Sequence, residues 1–201
     1  MITIIDYGLG NLGSIQNMFK RIGEEIVVTN DSDVIDKATK LLLPGVGAFD
    51  NAMFRINDSG LREILERKVL TEKVPILGIC LGMQLLTRAS EEGSLQGLGW
   101  IKASTKRFPK EPGLKVPHMG WNIVKPNHDS ELINNLPNES RFYFVHSYYV
   151  DVDNQKDSIL KADYSITFDA AIQNDNVYGV QFHPEKSHKF GMQLLKNFVQ
   201  L

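Results

Sequence analysis

The stretch Pro75-Ile76-Leu77-Gly78-Ile79-Cys80-Leu81-Gly82-Met83-Gln84 sets a short apolar run directly against a helical pattern. Pro75 to Ile79 reads as a buried strand and Leu81 to Ala89 as a helix. Cys80 stands at the junction, with a glycine two residues away on each side. G-x-C-x-G after a strand is the nucleophile-elbow pattern with cysteine in place of serine. Such a turn lifts the side chain above the sheet edge, and the glycines leave room for close packing of helix on strand. The helix N-terminus offers unpaired N–H groups and partial positive charge beside the sulfur. That favours thiolate over thiol, lowering a free value of about 8.5. A lone cysteine is often an inert core residue; its place on this turn favours the reactive reading.

Outward from the elbow, the first half keeps the same alternation. Ile2 to Ile5, Ile26 to Thr29 and Leu41 to Leu43 read as strands, the last ended by Pro44-Gly45. Ser14 to Ile22 reads as a helix, with Ser14 as N-cap and Gly23 as stop, and Asp31 to Ala38 as a short helix. Leu61 to Leu70 has helical periodicity, with Leu61, Ile64, Leu65 and Val69 on one face. Strands alternating with helices imply a parallel sheet covered on both faces.

The second half differs. Five of the eight prolines lie between Pro109 and Pro137, which disfavours long helices there. Strands are predicted near Ile123-Val124, Phe142 to Val150, Ile159 to Ala162, Ala170 to Gln173 and Val177 to Phe182. A helix over Phe190 to Val199 closes the chain. No repeat or linker interrupts it, so the change near residue 100 reads as an elaboration of one sheet, and residues 1–201 as one domain.

Composition narrows the chemistry. With 42% hydrophobic and 23% charged residues the chain is ordinary for a globular protein, and its formal net charge of −2 argues against nucleic-acid binding. A single cysteine can form neither an internal disulfide nor a CxxC site, and points to a reducing, cytoplasmic setting. Met1 to Asp6 lacks the basic start of a signal peptide, and no apolar run suggests a membrane span. The charged stretch Arg62 to Lys73 reads as a solvated helix face.

A cysteine nucleophile needs a base and a group to orient that base. Of five histidines, His128 and His188 lie in polar surroundings. His118 reads as structural or interfacial, and His146, in an apolar run, as a core residue or a site wall. His183 ends the Val177 to Phe182 strand, at the edge where α/β sheets present their sites. With Pro184 holding the chain extended, Glu185 is expected on the same face, where its carboxylate can fix the imidazole. The alternative is a surface His-Pro-Glu turn.

Gly8-Leu9-Gly10-Asn11-Leu12-Gly13 matches G-x-G-x-x-G, with Asp31 roughly 20 residues further on, as in dinucleotide-binding oxidoreductases. Asp6, however, sets a negative charge where pyrophosphate would sit. A glycine turn against neighbouring backbone is the preferred reading.

With Cys80, His183 and Glu185 identified, the chain resembles the class I glutamine amidotransferases. The matching segments run end to end: Asp6-Tyr7-Gly8-x-Gly10-Asn11, Leu43-Pro44-Gly45-Val46-Gly47, Gly78-Ile79-Cys80-Leu81-Gly82-Met83-Gln84, Ser90-Glu91-Glu92, Pro117-His118-Met119-Gly120-Trp121-Asn122, Phe144-Val145-His146-Ser147-Tyr148 and Gln181-Phe182-His183-Pro184-Glu185. Within the class, the PHMGWN and FVHSY segments are similar to glutaminase subunits of imidazole glycerol phosphate synthases, which serve histidine biosynthesis.

The resemblance implies a flavodoxin-like, three-layer α/β domain with a mixed, largely parallel central sheet and added antiparallel strands. It implies Cys80 as nucleophile, His183 as base and acid, and Glu185 as orienter, with no cofactor and no metal. It assigns Gly45, Val46, Gly47 and the Leu81 N–H to the oxyanion hole. It assigns Gln84, Glu91, Ser147 and Tyr148 to glutamine binding. Asn11, Trp121 and Lys186 would face a (β/α)8 barrel synthase subunit in a heterodimer. The segment Glu185 to Met192 also resembles a paralogous branch that feeds ammonia to amidination of bacterial surface sugars. More distant readings are a cysteine hydrolase or stress-response protein of related fold, a non-catalytic binding module, and the oxidoreductase above.

Overall fold

Apolar residues that alternate along a buried strand must be covered on both faces, and the computed structural model, which describes residues 1–201, shows how. Strands β1 (Ile2–Ile5), β2 (Ile26–Thr29), β3 (Lys40–Gly45), β4 (Ile76–Cys80) and β11 (Val177–Val180) run parallel in the order β2-β1-β3-β4-β11. Ile5, Leu41, Leu43 and Ile76 point into one core, shared with α3 (Phe49–Asp58) and α4 (Leu61–Glu66). Ile4, Leu42 and Leu77 point into the other, shared with α1 (Leu12–Ile22) and α6 (His188–Gln200). The result is a three-layer α/β architecture.

From β11 the sheet continues antiparallel through β10 (Ile166–Asn174), β9 (Ser158–Tyr164), β6 (His118–Pro126) and β7 (Arg141–His146). β8 (Tyr148–Val152) pairs with β10 and with β5 (Ala103–Arg107). The second half thus extends the same sheet. No helix is long and apolar enough to cross a membrane.

Several boundaries differ from expectation, each for a physical reason. α1 starts at Leu12, so Ser14 lies inside it and Asn11 holds the cap position; Gly23 ends it in the left-handed conformation at φ +86°. α2 spans Ser32–Asp36, capped by the Asp31 carboxylate on the Asp33 N–H at 2.8 Å. β3 continues through Pro44 and Gly45, which pair with Ile79 and Cys80; β1 pairs only as far as Leu42, so the missing proline N–H costs no ladder bond. After α4 the chain makes a π-helical turn over Arg67–Thr71. There Lys68 is buried, its Nζ donating to the Asp36 carbonyl at 2.7 Å and to Glu72 at 2.6 Å, so this charged stretch is not wholly a solvated face. The expected strand Phe142 to Val150 breaks at Ser147 into β7 and β8.

α5 covers only Leu81–Leu85 and does not reach Ala89. The carbonyls of Leu85 and Leu86, which would continue the helix, accept instead from the N–H groups of Leu98 and Ile101 at 2.8 and 3.1 Å. Its seat on the sheet depends on a missing side chain. A Cβ on Gly82 would stand 1.7 Å from the Leu43 carbonyl oxygen, and one on Gly78 would stand 2.6 Å from the Gly82 oxygen. Gly82→Ala is therefore expected to destabilise the fold by about 3 kcal/mol, at the upper end for overpacking because backbone is the obstacle. Urea unfolding checks this, and an unchanged midpoint would show that α5 is not pinned here.

Candidate active site

Cys80 ends β4 and opens α5 with φ +55° and ψ −110°, a conformation costing a non-glycine residue roughly 1–3 kcal/mol. It is sustained because the sheet register fixes both sides: Gly45 pairs with Cys80, and Val180 with Ile79. Gln181 Nε2 donates to Cys80 Sγ at 3.7 Å, and the Val145 carbonyl oxygen lies 3.9 Å from the sulfur.

β4 and β11 are adjacent and parallel, so the residues following each emerge at the same carboxyl edge. His183 follows β11. Pro184–Lys186 forms a 3₁₀ turn and not the extended segment expected, yet the turn still brings Glu185 back onto His183. The His183 Nδ1–H donates to Glu185 Oε1 at 2.8 Å, with only 4% and 1% of the two side chains exposed. Burial pulls the His183 pKa down, but the Cys80 sulfur and the Glu185 carboxylate outweigh it and push the pKa up to about 10. His183 Nε2 itself is buried and has no hydrogen-bond partner within the chain. Below that edge, Tyr7 donates to the Pro44 carbonyl at 2.6 Å; burial, then the neighbouring Cys80, raise its pKa far above the usual tyrosine value.

Cys80 and His183 both open onto a cavity of about 370 Å³. Val46, Gly47 and Leu81 line it, as do Ser147, Tyr148 and Lys186. Gly47 has φ +101°, a conformation that favours glycine at this bend. Gly45 does not line the cavity; a Cβ there would meet Tyr7 and α5, so it packs the loop against them. Gln84 lines the cavity, its Nε2 donating to the Tyr148 carbonyl at 3.2 Å and to Gln181 Oε1 at 3.1 Å. Glu91 does not line it: its carboxylate accepts from the Arg107 N–H at 2.7 Å. The next residue, Glu92, takes that place, with Oε2 also accepting from the Phe49 N–H at 2.9 Å. The Glu-Glu pair marked the segment, but which member faces inward depends on the turn joining it to β5.

Asn11 is exposed at the start of α1. Trp121 is 48% exposed and stacks on His188, with ring centroids 5.5 Å apart. Lys186 Nζ lies 5.5 Å from the Tyr143 ring centroid. Met119 and Ile123, 61% and 41% exposed, flank Trp121 on the outward face of β6. The period-two signal of this apolar stripe is readable in the sequence. His128 is exposed; His118 and His146 are buried against each other.

The glycine-rich turn has no free cradle for phosphate. The Gly8 N–H already donates to Asp6 Oδ1 at 2.9 Å, and a Cβ on Gly10 would meet Pro44 at 3.3 Å. Gly10 thus serves the close approach of the turn to β3, while a Cβ on Gly8 would meet the Arg55 side chain of α3 at 2.5 Å.

The chain is 56% identical over 200 residues to "Imidazole glycerol phosphate synthase subunit HisH 2" of Methanococcus maripaludis, covering 100% of this chain and 99% of the relative. It is 52% identical over 204 residues to "Imidazole glycerol phosphate synthase subunit HisH" of Bdellovibrio bacteriovorus, covering 100% of both. Among solved structures, PurLQS from Thermotoga maritima superposes with a TM-score of 0.74 over 99% of this chain and 97% of that one; at 16% identity this speaks to the fold alone. The family model described as Glutamine amidotransferase class-I matches residues 3–201, and the chain belongs to that family.

Proposed function

We propose that this chain, acting as one domain over residues 1–201, is the glutaminase subunit of an imidazole glycerol phosphate synthase. In this reading it hydrolyses glutamine to glutamate and ammonia and passes the ammonia to a (β/α)8 barrel synthase subunit for imidazole ring formation. The observation that carries the reading is Cys80, in a strained elbow, beside a buried His183–Glu185 pair at the carboxyl edge of two neighbouring parallel strands.

The chemistry follows from those groups. The Cys80 sulfur, as thiolate, attacks the side-chain carboxamide carbon of glutamine. The resulting oxyanion is met by the Leu81 N–H and by an N–H of the Val46–Gly47 loop, each such donor being worth about 3–4 kcal/mol. Imidazolium His183 gives its Nε2 proton to the departing nitrogen, releasing ammonia and leaving a γ-glutamyl thioester. Neutral His183 then takes a proton from water, which attacks the thioester and frees glutamate and the sulfur. Glu185 holds the ring through Nδ1 in both half-reactions. Gln84, Glu92, Ser147 and Tyr148 are suited to hold the amino acid. Glycine at position 47 would permit a peptide flip that aims the second oxyanion donor when the partner docks. Asn11, Lys186 and the Met119–Trp121–Ile123 stripe supply an apolar and polar surface for that partner.

The test is a pull-down with two barrel proteins, one from histidine synthesis and one serving surface-sugar amidination, followed by a glutaminase assay of each complex. The histidine-pathway barrel should bind and raise kcat roughly 10²–10³-fold over the isolated chain, the worth of one oxyanion donor. Full activity without a partner would refute the gating, and activation by the sugar-pathway barrel alone would reassign the acceptor.

A further inference from the structure

We propose that His146 and His118 are positioning residues of the glutamine cavity: a one-directional chain of hydrogen bonds from Asn122 through both imidazoles fixes the Tyr148 carbonyl beside Gln84. This rests on the glutaminase reading above and adds two residues to which that reading gave no role.

The direction of the chain follows from one atom. His146 Nδ1 lies 2.7 Å from the Tyr148 carbonyl oxygen. A carbonyl only accepts, so Nδ1 carries the proton and, in a neutral ring, Nε2 is bare. That bare nitrogen lies 2.9 Å from His118 Nδ1, which must therefore be the donor. His118 Nε2 is then bare in turn and accepts from Asn122 Nδ2 at 3.3 Å. Both rings are held in the Nδ1–H tautomer, and every step has one possible sense. The rings can stay neutral because Phe108, Phe144, Tyr164 and Phe168 enclose them; His118 lies stacked on Tyr164 with centroids 4.0 Å apart. Burial keeps the pKa values low, at about 4 for His118 and about 3 for His146. A cation on either ring would leave two donors facing each other.

The pair is built by register, since His118 and His146 stand directly opposite on β6 and β7. Two apolar residues would fill the same space, so packing alone does not call for imidazoles. What they add lies at the two ends. At one end the Tyr148 carbonyl also accepts from Gln84, which in turn donates to Gln181, whose own amide donates to the Cys80 sulfur. At the other, Asn122 lies on β6 between exposed Trp121 and Ile123. Asn122 is itself fixed, donating to the Asp163 carbonyl at 2.9 Å and accepting from the Ile123 N–H at 2.8 Å. The chain carries position, not charge, from the apolar stripe of β6 to the substrate wall.

Nitrogen NMR of the ¹⁵N-histidine-labelled full chain at pH 7 tests the tautomers without any assay of turnover. Both rings are expected as neutral Nδ1–H; an Nε2–H or cationic form of either would overturn the proposal. Steady-state kinetics of the complex with its barrel partner tests the consequence. His118→Phe and His146→Phe should each raise the glutamine KM about ten-fold, the worth of one lost hydrogen bond, while kcat stays within about three-fold. The double variant should be no worse than either single, because both break one chain. His118→Asn keeps a donor near the Nδ1 position and should restore KM where phenylalanine does not. Additive effects, or equal KM for the asparagine and phenylalanine variants, would reduce the pair to packing. If the chain proved not to be a glutaminase, the tautomer result would still stand.

Discussion

Cys80→Ala is expected to lower glutamine hydrolysis by roughly 10⁵–10⁶-fold, the scale of losing a nucleophile that acts as a unit with its base. The Cβ that occupies the elbow remains, and only a sulfur already hydrogen-bonded at its margin is removed. The fold should therefore survive with a loss of about 1 kcal/mol. Synthesis by the complex supplied with ammonium salt should proceed at the wild-type rate, because the proposed function assigns the acceptor chemistry to the barrel. Glutamate release and ammonia-dependent product formation, measured on one preparation, check both halves. Residual glutamine use above about 10⁻³ of wild type would mean that another group attacks the amide, and loss of both activities would contradict separate sites.

Glu185→Gln should cost roughly 10³–10⁴-fold in kcat, the scale seen when a buried carboxylate behind a catalytic histidine becomes an amide. The side chain is almost wholly buried, so no water can replace the lost charge. The amide can also turn its NH₂ toward Nδ1, which forces the wrong tautomer. The pH dependence gives an independent reading. His183 is raised from 6.5 to about 10, against the pull of burial, by the Cys80 sulfur and by this carboxylate. The folded state therefore holds a proton between pH 6.5 and 10 that the unfolded state releases. Its contribution to stability is full below 6.5 and lost as pH rises through 10. Removing the carboxylate should narrow that window from the alkaline side and move the alkaline limb of kcat/KM to lower pH. An unmoved limb would show that Glu185 does not set the proton affinity of His183.

Much of this arrangement was legible in the chain. Strands bounded by Gly and Pro, the G-x-C-x-G turn and the His-Pro-Glu unit are local signals, and each sits where its neighbours alone dictate. The failures share one cause, which is partners distant in sequence. α3 repeats apolar residues at Phe49, Ala52, Met53 and Ile56, yet it begins with no side-chain cap of its own; its first N–H is capped by Glu92, 43 residues away. β5 buries only Ala103 and Thr105 and gains its pairing from β8. The choice between Glu91 and Glu92 is set by the Ser90–Thr105 bridge and the Arg107 amide, neither visible in an isolated Ser-Glu-Glu. The neutral histidine pair could not be read from composition, because only the β6–β7 register sets the rings face to face.

β11 follows the other ten strands in chain order, yet it is inserted mid-sheet, between β4 and β10. The groups meeting across that seam are far apart in the chain, Cys80 and Gln181 by 101 residues. A nascent polypeptide that has already folded its first four strands would carry the thiol but not the imidazole. It would lack the proposed glutaminase site until β11 and His183 have been synthesised. Insertion between two waiting edges is also a long-range closure of the kind that slows folding, so the catalytic edge should assemble after the first four strands have paired.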